Sequence, residues 1–125
     1  MNNDHIRSLY SPGFSAMNLS FYKTNLAIGF NPWIPNDSSI CGKYDTEKFI
    51  VTTISIENTA ALYYLAQKII NGEMESPLKY VIECNKYATL RLEFDGKNTV
   101  LILEKNGEKI VFEFIIDQYW VKEDC

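Results

Sequence analysis

The sequence predicts an α+β domain, a curved antiparallel β-sheet of about seven strands backed by one main helix. Three observations carry that prediction. Aromatic residues make up 14% of the 125-residue chain, an excess that favours strands and stacking surfaces. Apolar residues alternate with period two along most of the chain, and one window after residue 57 switches to helical spacing. The dipeptides Asp95-Gly96 and Asn106-Gly107 are strong hairpin-turn signals, and both fall in the last third.

The elements follow in chain order. Residues 1–12 read as a loose N-terminal arm. Met17, Leu19 and Phe21, then Leu26, Ile28 and Phe30, mark strands at about 16–22 and 25–31, joined by a tight turn near Lys23-Thr24-Asn25. "NPWIPNDSSICGKYDTE", residues 31–47, carries two prolines with Asn, Asp, Ser and Gly and reads as a long loop. "KFIVTTISIE" is rich in β-branched residues and forms a third strand. Leu62, Leu65, Ala66 and Ile69 then fall on one helical face, with Asn58 as the expected N-cap and Gly72 as the expected terminator.

"KYVIEC" gives a further strand, turning at Asn85-Lys86. The two hairpin signals after it can be tested against each other. Tight turns at Asp95-Gly96 and Asn106-Gly107 both place Ala88, Leu90, Leu92, Leu101, Leu103, Ile110, Phe112 and Phe114 on one face. A slip of one residue would scatter that set over both faces. The opposite face is mixed, with Glu104 opposite Lys109. The helix is expected to cover the oily face. "DQYWVKEDC", residues 117–125, is an acidic tail, and the whole chain, 1–125, reads as a single domain.

Composition narrows the function. Net charge is −4, and it is uneven: residues 1–56 balance four basic against four acidic groups, while residues 57–125 hold eight basic and twelve acidic, 8 − 12 = −4. An acidic total argues against tight non-specific duplex binding, which relies on many phosphate contacts. No apolar run approaches the roughly 18 residues of a membrane span, and the N-terminus lacks the apolar core of a secretory signal. Cys41, Cys84 and Cys125 are odd in number and widely spaced, which suits free thiols in a reducing cytoplasm.

Motifs for catalysis are missing. His5, the only histidine, lies in the arm; no Gly-rich phosphate loop, HExxH or CxxC occurs. Glu93, Glu104 and Glu113 could offer oxygen ligands, but such positions are ordinarily the solvated side of a sheet. The expectation is a non-enzymatic protein without cofactor or metal.

What remains is basic residues beside aromatics: Tyr22-Lys23, Lys43-Tyr44, Lys48-Phe49 and Lys86-Tyr87, with Arg91 four further on. Single-strand binders need cations to follow phosphates and flat rings on which bases stack. Neighbour pairs also arise by chance in any sheet containing Lys and Tyr, but four at strand edges or turns shift the balance toward binding. Trp33, between Pro32 and Pro35, is either a plug at the edge of the core or a further contact.

The segments "LYSPGF", "NLSFYKTNLAIGFNPW", the helix after "TTISIE", and "IECNKYATLRLEF" with "NTVLILEKNGEKIVFEF" resemble small phage and bacterial proteins of the Whirly and positive-cofactor-four superfamily of single-stranded-DNA-binding proteins. That resemblance, over residues 8–116, implies a Whirly-like curved sheet that binds unpaired DNA or RNA across one face and assembles into dimers or higher oligomers. Carried onto this chain, it implies contacts by Tyr22, Lys23, Lys48, Lys86, Tyr87, Arg91 and Lys109, with Trp33, Lys43 and Tyr44 as additional candidates. The function it implies is a cytoplasmic phage or mobile-element accessory to replication or recombination. The alternative is a small protein–protein module or inhibitor docking through its mixed sheet face.

Overall fold

A computed structural model of the chain describes residues 5–36, 41–114 and 122–123. It is an α+β architecture dominated by strands, and it holds two sheets rather than one. The first contains β1 (His5–Ser11), β2 (Ser15–Phe21), β3 (Asn25–Pro35), β4 (Cys41–Tyr44) and β5 (Ile50–Ser55), with β10 (Lys122–Glu123) beside β4. The second is the antiparallel meander β6 (Leu78–Asn85), β7 (Ala88–Phe94), β8 (Thr99–Lys105) and β9 (Glu108–Phe114). One helix, α1 (Ile56–Ile70), links them.

Residues 5–11, expected within the loose arm, form β1. They pair antiparallel with β2 through "SPGF", a turn with Phe14 N–H donating to Ser11 O at 2.9 Å and Gly13 at φ 89°. Pro followed by Gly supplies the fixed φ and then the positive φ that such a turn requires. The expected long loop is also largely strand. β3 continues through Trp33 to Pro35 and pairs with β4, Trp33 opposite Tyr44, while residues 37–40 lie outside the described residues. Pro35 is tolerated because it ends its strand, and Pro32 because it falls between the β3–β5 ladder, which stops at Phe30, and the β3–β4 ladder, which starts at Trp33. The tail is described only at Lys122–Glu123, paired in parallel with Cys41–Gly42. Cys41 is disulfide-bonded, which corrects the expectation of a free thiol there; Cys84 is free, and Cys125 lies outside the described residues.

Ser55, not Asn58, caps α1: its hydroxyl accepts from Asn58 N–H at 3.1 Å. A serine immediately before the first helical residue satisfies an orphan amide that Asn58, already in the first turn, cannot. The C-terminus ends at Gly72 as expected, at φ 72°, with Gly72 N–H on Ile69 O and Glu73 N–H on Lys68 O. This is a Schellman closure.

The meander register at Asn106-Gly107 is as read from sequence, with Leu103 opposite Ile110 and Leu101 opposite Phe112. At Asp95-Gly96 it is shifted. Leu92 faces Leu101 and Leu90 faces Leu103, so the connection is the four-residue loop Asp95–Asn98 instead of a two-residue turn. Asp95 Oδ1 accepts from Asn98 N–H at 2.7 Å and Lys97 N–H at 2.8 Å, which favours the wider loop. Those donors, Asn98 first, hold the Asp95 carboxyl below its ordinary range. Because the shift is two residues, no side chain changes face.

The oily face is covered mainly by the first sheet. Met17, Leu26, Ile28, Phe30 and Ile54 of that sheet share one core with Ile82, Leu90, Leu92, Leu101, Leu103 and Phe112 of the second. The helix contributes Leu62, Leu65 and Ile69 at the margin, and none of its residues is fully buried. An open apolar cavity of about 230 Å³ lies between α1 and the sheets, lined by Met17, Leu26, Leu62, Ala66, Leu101 and their neighbours.

Side chains tie the sheets together. Ser11 Oγ donates to Glu113 O at 2.7 Å and accepts from Glu113 N–H at 3.2 Å, while Ser15 Oγ donates to Val111 O at 2.7 Å. Both serines are buried. On the other side Lys105 Nζ donates to Val51 O at 2.6 Å. By contrast Thr52 Oγ1 is buried with no hydrogen-bond partner among the described residues.

Two substitutions should therefore move stability in opposite directions. Ser11→Ala orphans two backbone groups of β9 and should lower the unfolding free energy by about 1–3 kcal/mol. Thr52→Val removes an unpaired hydroxyl at nearly constant shape and should raise it by about 1 kcal/mol. Chemical denaturation of the two variants beside the parent checks both signs.

Candidate nucleic-acid interface

The two sheets turn their apolar faces to the same core, so their outer faces look in opposite directions. The ten residues singled out from sequence divide between them. Tyr22, Lys23, Trp33, Lys43, Tyr44 and Lys48 belong to the first sheet and its connections; Lys86, Tyr87, Arg91 and Lys109 belong to the second.

On the second sheet, Tyr87 lies in the Lys86–Tyr87 turn and is 64% exposed, with Lys86 Nζ 5.7 Å from its ring centroid. Asn85 Oδ1 accepts from Tyr87 N–H at 2.7 Å and sets that turn. Arg91 is different. Its Nε donates to Glu93 Oε2 at 2.6 Å and its Nη1 to Glu104, leaving its side chain 18% exposed. Glu104 and then Glu93 hold the guanidinium in its charged form, and Arg91 in turn holds the Glu104 carboxyl below its ordinary range. Lys109, opposite Glu104 in the ladder, is exposed. The outward strand positions of this sheet carry Glu83, Glu93, Glu104 and Glu113 against Lys79, Arg91 and Lys109, a slight acidic excess. A strand of phosphates meets no free positive field there.

The first sheet presents another surface. Its outward strand positions, reading across the ladders, are Ser8 and Tyr10; Ala16, Asn18 and Ser20; Ala27, Gly29 and Asn31; and Val51, Thr53 and Ser55. None is acidic. Polar groups form a chain across it: Ser8 Oγ donates to Asn18 Oδ1 at 2.8 Å, Asn18 Nδ2 to Asn31 Oδ1 at 3.3 Å, and Asn31 Nδ2 to Lys48 O at 2.8 Å. At one end stands an aromatic group. Tyr44 packs its ring 5.6 Å from Tyr10 and 5.0 Å from Trp33, the latter edge-on at 76°.

Within that group the roles differ. Trp33 is half-buried, and its ring fills the space beside Gly42, where an added Cβ would come within 2.6 Å of it. Trp33 is thus a buttress, and Tyr10, 64% exposed, is the ring open to a ligand. Tyr10 was missed from sequence because it sat in the expected arm; the signal was the alternation of Ser8, Leu9 and Tyr10 before the Pro-Gly turn. Lys43 is exposed and, paired with Ile34, points to the other side of β4 from Tyr44. Lys48 is exposed and ion-paired to Glu108 at 2.5 Å, which raises its pKa. Tyr22 and Lys23 are exposed at the β2–β3 tip, six residues along β2 from the Tyr10 row and so roughly 20 Å away.

Among the described residues, no group of three or more His, Cys, Asp or Glu could hold a metal, and no helix is long and apolar enough to cross a membrane.

Arg91 supplies a discriminating variant. Arg91→Ala releases Glu93 and Glu104 against each other, so the unfolding midpoint should fall, and more so at low salt. Affinity for oligo-dT should stay within about twofold of the parent, because a cation already neutralised by two carboxylates has little counterion release to contribute. Thermal unfolding and an oligonucleotide titration on one preparation test both statements.

Comparison with protein-family models, with curated proteins and with solved structures finds no match to the chain.

Proposed function

We propose that the protein binds single-stranded nucleic acid, without catalysing a reaction on it, across the outer face of its first sheet. The observation that carries this reading is the exposed Tyr10 ring, buttressed by Tyr44 and Trp33, beside an outward strand surface with amide and hydroxyl groups and no carboxylate. Unpaired strands require rings on which bases stack and cations that follow the phosphates; the rings are on this face, the cations are at its margin, and no base-reading helix is needed. The five strands that precede α1 depart from the four-strands-then-helix unit of the Whirly family, so a role accessory to phage replication or recombination rests on the sequence resemblance alone. Docking to a protein through the second sheet's mixed face, where Val81 is exposed amid a slight acidic excess, is the competing reading.

Self-association belongs to the same proposal. Ile56, Tyr63 and Ile70 are exposed and spaced seven residues apart, which places them in one stripe along α1, with the small residues Thr59 and Ala66 beside it. An antiparallel copy of this stripe sets Ile56 against Ile70 and Tyr63 against itself, a self-complementary arrangement of the kind a two-fold dimer uses. Light scattering should report more than a 14.4 kDa monomer at high micromolar concentration. Tyr63→Glu should shift the protein to monomer; a parent that is already monomeric rejects the assembly.

Strand binding makes its own numerical forecast. Among the described residues, Lys23 and Lys48 flank the first sheet's outer face, and Lys48 is already paired with Glu108, so about two phosphates at most are neutralised. The slope of log affinity against log salt for oligo-dT should be no steeper than about −2. Tyr10→Ala should weaken binding by about 1–3 kcal/mol, as loss of a stacking ring does. No binding of the parent at low salt, or affinity unmoved by Tyr10→Ala, would reject this face.

A further inference from the structure

Phe49 precedes β5 and belongs to none of the contacts described so far. It is an apolar ring left 54% exposed, yet it is held by a purpose-built setting. Its tip occupies the space above Gly29 where any side chain would lie: a Cβ built on Gly29 would come 2.0 Å from Phe49 Cζ and 2.5 Å from Cε1. Gly29 is in the middle of β3, where glycine weakens a strand, and its φ is not in the left-handed region. The reason for a glycine at this position is therefore the close approach of the ring.

The backbone leading to Phe49 is fixed as well. Both amide hydrogens of Asn31 go to that segment, with Nδ2 3.2 Å from Asp45 O and 2.8 Å from Lys48 O. Glu47 N–H donates to Asp45 Oδ1 at 3.0 Å, and Lys48 is anchored to Glu108 across the sheets. On the other side, Ile50 enters β5 paired with Phe30. A ring that served only to cover the core would be buried. This one sits on Gly29 at the end of a segment held by hydrogen bonds and an ion pair, and it is left open to solvent.

We propose that Phe49, seated on Gly29, is a stacking platform for an unpaired nucleobase, lying on the same outer face as Tyr10. The inference rests on the reading that this face binds a single strand. Its ligand is a flat, aromatic base and not a phosphate, because the ring offers no charge and Lys48 beside it is already paired with Glu108. A duplex, whose bases are stacked on each other, presents no such face to it.

The test is a titration of fluorescent oligo-dT, and of an abasic strand of the same length, with the parent, Phe49→Leu, Phe49→Trp, Gly29→Ala and the Phe49→Leu/Gly29→Ala pair. Phe49→Leu keeps an apolar cover and removes the π-face; it should weaken oligo-dT binding roughly 5- to 150-fold, the range of a single stacked base. Phe49→Trp should bind within about threefold of the parent or more tightly, since a larger ring stacks at least as well. Gly29→Ala displaces an intact ring and should weaken binding similarly, but add nothing when Phe49 is already Leu, the non-additivity that marks two residues acting through one contact. The abasic strand should bind weakly and equally to the parent and Phe49→Leu. If Phe49→Leu binds oligo-dT like the parent while Tyr10→Ala still loses affinity, the platform is wrong and the binding face stands. If the parent binds no oligo-dT at low salt, both fall.

Discussion

Two buried serine hydroxyls hold the junction on which the architecture depends. β9 is the last strand of its sheet and would otherwise leave unpaired N–H and C=O groups inside the protein, each an unmet hydrogen bond. Ser11 serves both groups of Glu113, and Ser15 serves the carbonyl of Val111, so the β1–β2 turn stands in for a fifth strand. With that edge closed, the apolar faces of the two sheets can meet without a buried polar seam. Lys105 reaches the carbonyl of Val51 in β5 and provides a second link between the sheets. The helix is left at the margin, over an open apolar cavity, because the sheets already cover each other.

Mutual covering also decides where a ligand can go. Once both oily faces point inward, the outer faces are opposed and must be judged separately. Charge separates them. The second sheet's outer face closes on itself, with Arg91 between Glu93 and Glu104 and Lys79 near Glu93. The first sheet's outer strand positions carry small and amide side chains, with rings at one end. Asn31 links the two features, since its amide both continues the polar chain from Ser8 and anchors the segment that ends in Phe49.

Much of this was legible in the sequence. Alternation and turn chemistry are local, so the faces of the last three strands, the Asn106-Gly107 turn and the helix with its Gly72 stop could be read directly. The Asp95 loop was misread in length but not in face, since a two-residue shift preserves the pleat. What was not legible depends on distant partners. "SLYSPGFS" looks like an arm until β9 supplies an edge for its serines. "NPWIP" looks like a loop until β4 pairs with it. Arg91 reads as a free cation because its acidic neighbours become visible only when Glu104 is laid diagonally across the ladder. Phe49 reads as the start of a strand, and only its approach to Gly29, twenty residues earlier, sets it apart.

The central claim is that one face of two carries the function. The most direct test is a backbone and side-chain NMR shift map of the protein on addition of oligo-dT at low salt. The account predicts that the largest changes fall on Tyr10, Asn18, Asn31, Phe49 and the Trp33 indole, with the amides of Arg91, Ile102, Glu104 and Lys109 almost unmoved. Changes concentrated on Tyr87, Arg91 and Lys109, with the first sheet silent, would contradict it.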